Sequence, residues 1–215
     1  MVTEIRFYVE GQRPGNRRDE ALSREAFHVF FRDVDEEASK HGIGVRYHLS
    51  GSRGRAYERF CDAHRQDASS YSVLLVDSEG PVARFGECWR HLKDRGADQW
   101  DRPHGADNEQ CHLMVQAIEG WLFADPDGLE RFYGRGIRRG ALAKRVNVEE
   151  IPKSDHLRSL EAATRGTSKG LYHKVRHLYP LMRTLDVRLV RQRAPHCNRI
   201  FDTLLGKIQE WTSGQ

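Results

Sequence analysis

The stretch that decides the fold is Tyr71-Ser72-Val73-Leu74-Leu75-Val76-Asp77-Ser78-Glu79-Gly80. A strand covered on one face alternates apolar and polar residues, whereas Tyr71 to Val76 is a compact, nearly continuous apolar run. That pattern belongs to a central strand of a parallel sheet, buried on both faces. The run stops in Asp77-Ser78-Glu79-Gly80-Pro81, turn formers that also bring two carboxylates to the end of the strand.

Working outward, Ile5 to Val9 is another β-prone run. It ends in Glu10-Gly11 and a loop with Pro14, Gly15 and Asn16. Between the two runs, Phe27, Phe30, Phe31, Val34 and Ala38 recur at helical steps, predicting a helix from Ser23, its N-cap, to His41. Gly42 and Gly44 end it. Val45 to Leu49 reads as a second strand, Ser50 to Gly54 as a loop, and Ala56 to Gln66 as a second helix. Downstream, a helix is expected over Ala83 to Arg95, a polar loop over Gly96 to Asp107, and a long apolar helix over Glu109 to Ala124, closed by Asp125-Pro126. Leu157 to Ala163, Lys174 to Leu185 and Asn198 to Trp211 read as helices, and Val187 to Val190 as one more strand. The alternation predicts an α/β three-layer sandwich with a mostly parallel central sheet and a helical, basic C-terminal part.

A chain of 215 residues suits one domain with a core of its own, residues 1–130 forming the α/β part and 131–215 a helical part packed on it. It is 31% charged and 38% hydrophobic, polar but globular. No apolar run reaches the length of a membrane span, and charges interrupt the first ten residues, so a cytoplasmic protein without membrane contact is expected. The cysteines, Cys61, Cys88, Cys111 and Cys197, form no Cys-x2-Cys pair and read as reduced thiols. Cys61-x2-His64 and Cys88-x2-His91 each set a thiol and an imidazole one helical turn apart. Such a pair suits zinc, but it suits an ordinary amphipathic helix better.

The net charge of +4 hides a polarity. Residues 1–130 hold 17 Lys+Arg against 24 Asp+Glu, or −7, and residues 131–215 hold 18 against 7, or +11. A basic half beside an acidic one suits a protein that brings a polyanion to a metal site; arginine-rich solvated helix faces are the plainer reading.

Glu10 and the pair Asp77 and Glu79 follow two strands of one parallel sheet, whose carboxyl ends share an edge. Carboxylates so clustered repel unless a cation neutralises them, and oxygen ligands favour Mg2+ or Mn2+. Gly11 and Gly80 would leave room for a backbone or phosphate. Expected helical spacing places His112, Gln116 and Glu119 on one polar stripe, facing solvent or a site. Lys174, within Tyr-His-Lys-Val, is a candidate catalytic residue as a phosphate or transition-state contact; a surface lysine is the plainer reading. Arg53 and Arg55, and the loop cations Arg135, Arg138 and Arg139, are candidates for a nucleic-acid backbone. P-loop, nucleophile-elbow, His-Glu-x-x-His and dinucleotide fingerprints are absent from the sequence.

Phe7-Tyr8-Val9-Glu10-Gly11 followed by Leu74-Leu75-Val76-Asp77-Ser78-Glu79-Gly80 resembles the Toprim domain of topoisomerases, primases and overcoming-lysogenization-defect nucleases. Three further stretches look like a Toprim-related family catalogued as domain of unknown function 4276: Met114 to Asp125, resembling its signature helix, Tyr172-His173-Lys174, and Pro195 to Phe201. The resemblance implies metal binding by Asp77 and Glu79, acid/base work or metal binding by Glu10, and a place for Glu119 in the acidic pocket. It also implies nuclease activity on DNA or RNA, in phage defence beside an ATPase partner; oligomer formation is left open. Glu79 departs from the family's second aspartate, which keeps a non-catalytic module binding nucleic acid or the ATPase as the alternative.

Overall fold

The computed structural model describes residues 2–11 and 17–213. Its elements are β1 (Glu4–Val9), α1 (Arg17–Phe30), α2 (Arg32–Lys40), β2 (Gly44–Leu49), α3 (Arg53–Gln66), β3 (Ser70–Asp77), α4 (Cys88–Asp94) and β4 (Cys111–Met114). A 3-10 turn (Ile118–Ala124) leads into α5 (Pro126–Tyr133), α6 (Lys153–Thr164), α7 (Lys174–Met182), α8 (Val187–Arg193) and α9 (Pro195–Thr212). The loop expected at Pro14, Gly15 and Asn16 lies outside the described residues.

The four strands run parallel in the order β2-β1-β3-β4. Period-2 geometry sorts their side chains into two cores. Phe7, Val9, Val73, Leu75 and Met114 join the aromatic cluster of Phe27, Phe30, Phe31 and Trp121, to which α6–α9 also contribute. Tyr8, Leu74, Val76, Cys111 and Leu113 face the opposite side, with Phe60 of α3 and Cys88, Trp89 and Leu92 of α4. The expected three layers are therefore present. The chain leaves β1 for β2 on one side, covered by α1 and α2, then crosses back over β1 to β3 through α3 on the other face. This reversal puts the topological switch point between β1 and β3, where open α/β sheets leave a crevice at the carboxyl ends.

Several expected elements differ. The helix over Glu109 to Ala124 does not form: Cys111–Met114 is the fourth strand, paired in register from Leu74↔Cys111 to Asp77↔Met114. The turn after it is buried at all seven residues. A short run buried on both faces carries no period, so helical spacing was accidental there. The stripe of His112, Gln116 and Glu119 disappears with the helix. His112 is wholly buried in β4, with Nε2–H donating to the Glu109 carbonyl at 2.8 Å and Nδ1 accepting from Arg199 at 3.0 Å. Burial and then Arg199 push its pKa down to about 3, so it is a neutral structural group.

The helix over 23–41 is two helices, broken at Phe31, whose ring turns onto Phe7 (5.4 Å) and Phe201 (5.0 Å). Ser23 is not a cap but sits inside α1, buried. In a separate helix, Ser52 is an N-cap: it accepts from the Arg55 N–H and starts α3 at Arg53, within the expected loop. The helix expected from Ala83 begins only at Cys88, after Gly86 at φ +79°. Asp125-Pro126 opens α5 rather than closing a helix, because Asp125 accepts the Gly128 N–H at 2.8 Å. Val187 to Val190 is helical, since Asp186 caps α8 by accepting the Arg188 N–H at 3.0 Å.

Among the described residues no helix is long and apolar enough to cross a membrane. In the loop after α5, Gly136 has φ +93°, and a Cβ there would lie 2.3 Å from the Gly166 carbonyl oxygen. Gly136→Ala is expected to cost about 2 kcal/mol or more through strain and collision. Chemical denaturation checks this, as a lower midpoint with unchanged slope.

Candidate functional site

The switch point gathers the acids. Glu10, Asp77 and Glu79 each offer an oxygen, and these oxygens lie within 4.8 Å of one another. Backbone donors set two of them: Glu10 Oε2 accepts the Asp77 N–H at 3.0 Å, and Asp77 Oδ1 accepts the Ile118 N–H at 2.9 Å. Glu79 sits at φ +65°, in the left-handed region that few side chains adopt. Its N–H donates to the Gln116 carbonyl at 2.9 Å. The segment just after β4 therefore positions both acids of the β3 turn.

Among the described residues, three cations surround the cluster. Arg53 Nη1 donates to the Asp77 carbonyl at 2.8 Å and lies 3.6 Å from Glu10 and 3.8 Å from Glu79. The same guanidinium grips Asp98 at 2.7 and 3.0 Å and stacks over Trp100. Lys153, at the start of α6, pairs with Glu79, while its N–H donates to Gln116 Oε1 at 3.0 Å. Lys174, at the start of α7, pairs with both Glu119 oxygens, at 2.9 and 3.0 Å, and reaches Asp77 at 3.9 Å. Glu119 thus lies beside the three-acid group, joined to it through Lys174.

Burial raises the pKa of Asp77 to about 7, and the neighbouring Glu10 charge adds to the rise. Glu10 is raised as well, by burial first, against the pull of Arg53. For Lys174 burial opposes the charge, but Glu119 and Asp77 outweigh it and its pKa rises. A site that holds this much charge out of water is set up for a further ligand or for proton traffic.

The donor set fits a hard divalent cation. Each of the three carboxylates has one oxygen engaged by the donors above and a second with no hydrogen bond among the described residues, the monodentate presentation that Mg2+ and Mn2+ take. A cavity of about 100 Å³ opens beside the cluster, walled by Glu10, Asp77, Ile118, Lys174, Leu178 and Tyr179. The room expected at Gly11 is taken by the Tyr179 hydroxyl, which a Cβ there would meet at 2.8 Å; Gly80 does face open space.

A family model described as a domain of unknown function, DUF4276, matches residues 25–205. The chain belongs to that family. No curated protein and no solved structure matched the chain. In this DUF4276 protein Asp77, Glu79, Glu119, Lys153 and Lys174 fall within the matched segment, while Glu10 precedes it.

The remaining candidates are placed elsewhere. Arg55 is exposed on the first turn of α3. Arg135 is exposed, Arg138 packs on the end of α6 through the Ala162 and Ala163 carbonyls, and Arg139 is engaged by Asp127 and Glu130. That end of α6 is about 15 Å along the helix from Lys153. Cys61, His64, Cys88 and His91 do not converge: His64 meets Gln110, His91 donates to the Ser78 carbonyl and Cys88 meets Arg199. Lys153 and Asp98 were not signalled by the sequence; each is one charge among many, and only the fold delivers it to the rim.

Proposed function

We propose that this DUF4276 chain is a metal-dependent phosphoryl-transfer enzyme, a nuclease, using Mg2+ or Mn2+ on DNA or RNA. The observation that carries the reading is the meeting of Glu10, Asp77 and Glu79 at the switch point, within 4.8 Å. The Toprim resemblance of the two strand ends supports it. So does the charge of residues 131–215, +11 by count, which suits a polyanion. The resemblance also carries a cytoplasmic role in phage defence with an ATPase partner.

When bound, the metal supplies Lewis acidity toward a phosphate oxygen and a bound water of lowered pKa. Asp77, held by the Ile118 N–H, and Glu79, held through Gln116, present the ligand oxygens. Glu10, held by the Asp77 N–H, would present its free oxygen to the same cation as the ligand from the neighbouring strand. Lys153 and Lys174 hold charge on the non-bridging phosphate oxygens, and Arg53 keeps the Asp77 turn in place.

One observation favours the second reading, a non-catalytic module that binds nucleic acid or an ATPase. Arg53, Lys153 and Lys174 already neutralise the acids without a metal. Assays on plasmid, single-stranded DNA and tRNA separate the two. The enzyme cleaves with Mn2+ and not with EDTA, and Glu79→Gln lowers the rate by at least the roughly 10- to 100-fold that loss of a group supporting a metal ligand costs. An inert protein, alone and with an ATPase partner, that holds nucleic acid equally well in EDTA establishes the module instead.

A further inference from the structure

The loop from Glu79 to α4 exposes one large aromatic ring. Phe85 is 62% exposed, only six residues beyond Glu79, so it lies within about 20 Å of the acids by chain length alone. One side of its ring rests on His196, 5.0 Å away and inclined at 59°. His196 is itself fixed by Glu149, whose carboxylate accepts from the ring Nδ1–H and from the His196 N–H, both at 2.7 Å. Glu149 accepts from Gln116 Nε2 at 3.2 Å through its carbonyl, and the Gln116 carbonyl accepts the Glu79 N–H at 2.9 Å. A single chain of contacts therefore ties the exposed ring to a candidate metal ligand.

Phe85 also walls a cleft of about 700 Å³ with Arg188, Arg191, Arg199, Asn198 and Asp202. Three arginines and Asp202 line it; Arg191 is committed to Asp202 and Asp33, to Asn198 and to the face of Phe201, which leaves Arg188 as the cation most open to solvent in the cleft. Asp202 is engaged with Arg191 at 3.2 Å and Asn198 at 2.6 Å, and Arg199 is held by the Asn108 and Cys111 carbonyls. Arg188 is 84% exposed at its side chain and pairs with Asp186 of its own turn, an exposed pair that is cheap to rearrange.

We infer that Phe85 and the α8–α9 cleft form a platform for single-stranded polynucleotide, one base stacking on Phe85 while Arg188 takes an adjacent phosphate. The inference rests on the nucleic-acid reading above and names its substrate class. A stacked base needs a free π-face beside a cation, which the cleft offers. A duplex hides its base faces and gains nothing from the ring.

The test is fluorescence anisotropy in EDTA with the full chain and labelled oligodeoxyuridylate, oligouridylate and duplex of about 15 units, the scale of single-strand sites. Phe85→Ala weakens single-strand binding by about 5- to 150-fold, the usual worth of one base–aromatic stack, and leaves duplex binding unchanged. Phe85→Trp retains single-strand affinity. Arg188→Ala lowers the salt slope by about 0.7. The tighter of the two single-strand arms names the sugar. Wild-type protein that ignores single strands, or a Phe85→Ala variant that binds them normally, overturns the inference. Phe85-dependent binding without metal-dependent cleavage removes the enzyme reading alone; cleavage and single-strand binding both indifferent to Phe85 remove the platform alone.

Discussion

Replacing Asp77 by asparagine is expected to raise the melting temperature of the metal-free protein at pH 8 and to abolish any further rise on adding Mn2+. Asp77 is 4% exposed, and its pKa moves from 3.8 to about 7, first through burial and then through Glu10. A folded-state pKa above the unfolded one means that the folded chain keeps a proton the unfolded chain has lost. The stability this group contributes is whole below about pH 4 and is lost as the pH climbs through 7. At pH 8 the folded protein carries the buried carboxylate at full cost, a few kcal/mol at about 1.4 kcal/mol per pH unit. Asparagine removes the charge and keeps the oxygen that accepts the Ile118 N–H. At about 2–4 °C per kcal/mol for a chain of this size, the gain is several degrees, shrinking as the pH is lowered toward 5. Metal must displace the same proton, so wild-type affinity for Mn2+ rises about tenfold per pH unit below pH 7. Scanning calorimetry in EDTA and in Mn2+ at both pH values reads all of this. A variant less stable than wild type at pH 8 in EDTA would refute the electrostatic account.

Trp121→Ala is expected to cost about 3–5 kcal/mol, the most of any single truncation in the turn before α5. The ring is wholly buried and stacks on Phe30 at 4.8 Å with 4° between planes. It packs edge-on to Phe31 at 6.5 Å. Its Nε1–H has no acceptor among the described residues, so the loss is of packing and not of a hydrogen bond. Trp121→Phe removes that orphan donor and keeps most of the ring, and should cost about 1 kcal/mol. Trp121 also anchors the turn that presents the Ile118 N–H to Asp77 and Glu119 to Lys174. Denaturant titration of both variants, read against Mn2+ affinity, should show the two losses moving together. Destabilisation by Trp121→Ala of under about 1 kcal/mol would mean that the aromatic cluster does not hold the site.

The sequence carried the parallel sheet because Tyr71 to Val76 and Ile5 to Val9 are short runs ended by turn residues, and those ends located Glu10, Asp77 and Glu79. It did not carry β4, where Cys111–Met114 is short and buried at every position, His112 included, so no period 2 shows. The apolar residues after it happen to fall at helical steps. Without β4 the site was only half legible. The Ile118 N–H on Asp77 and the Gln116 carbonyl on Glu79 are backbone groups with no residue signature. Lys153 and Asp98 reach the rim through tertiary packing, and nothing in their local sequence separates them from the other charged residues.

The central claim is that acids from two strands share one cation. Isothermal titration of Mn2+ into the metal-free protein at pH 8 tests it most directly, with wild type, Glu10→Gln, Asp77→Asn and Glu79→Gln compared. Saturable binding by wild type that Asp77→Asn eliminates, and that Glu10→Gln and Glu79→Gln each weaken by about tenfold or more, is the expected result. Binding that survives all three substitutions, or a wild-type protein that takes up no Mn2+, would contradict it.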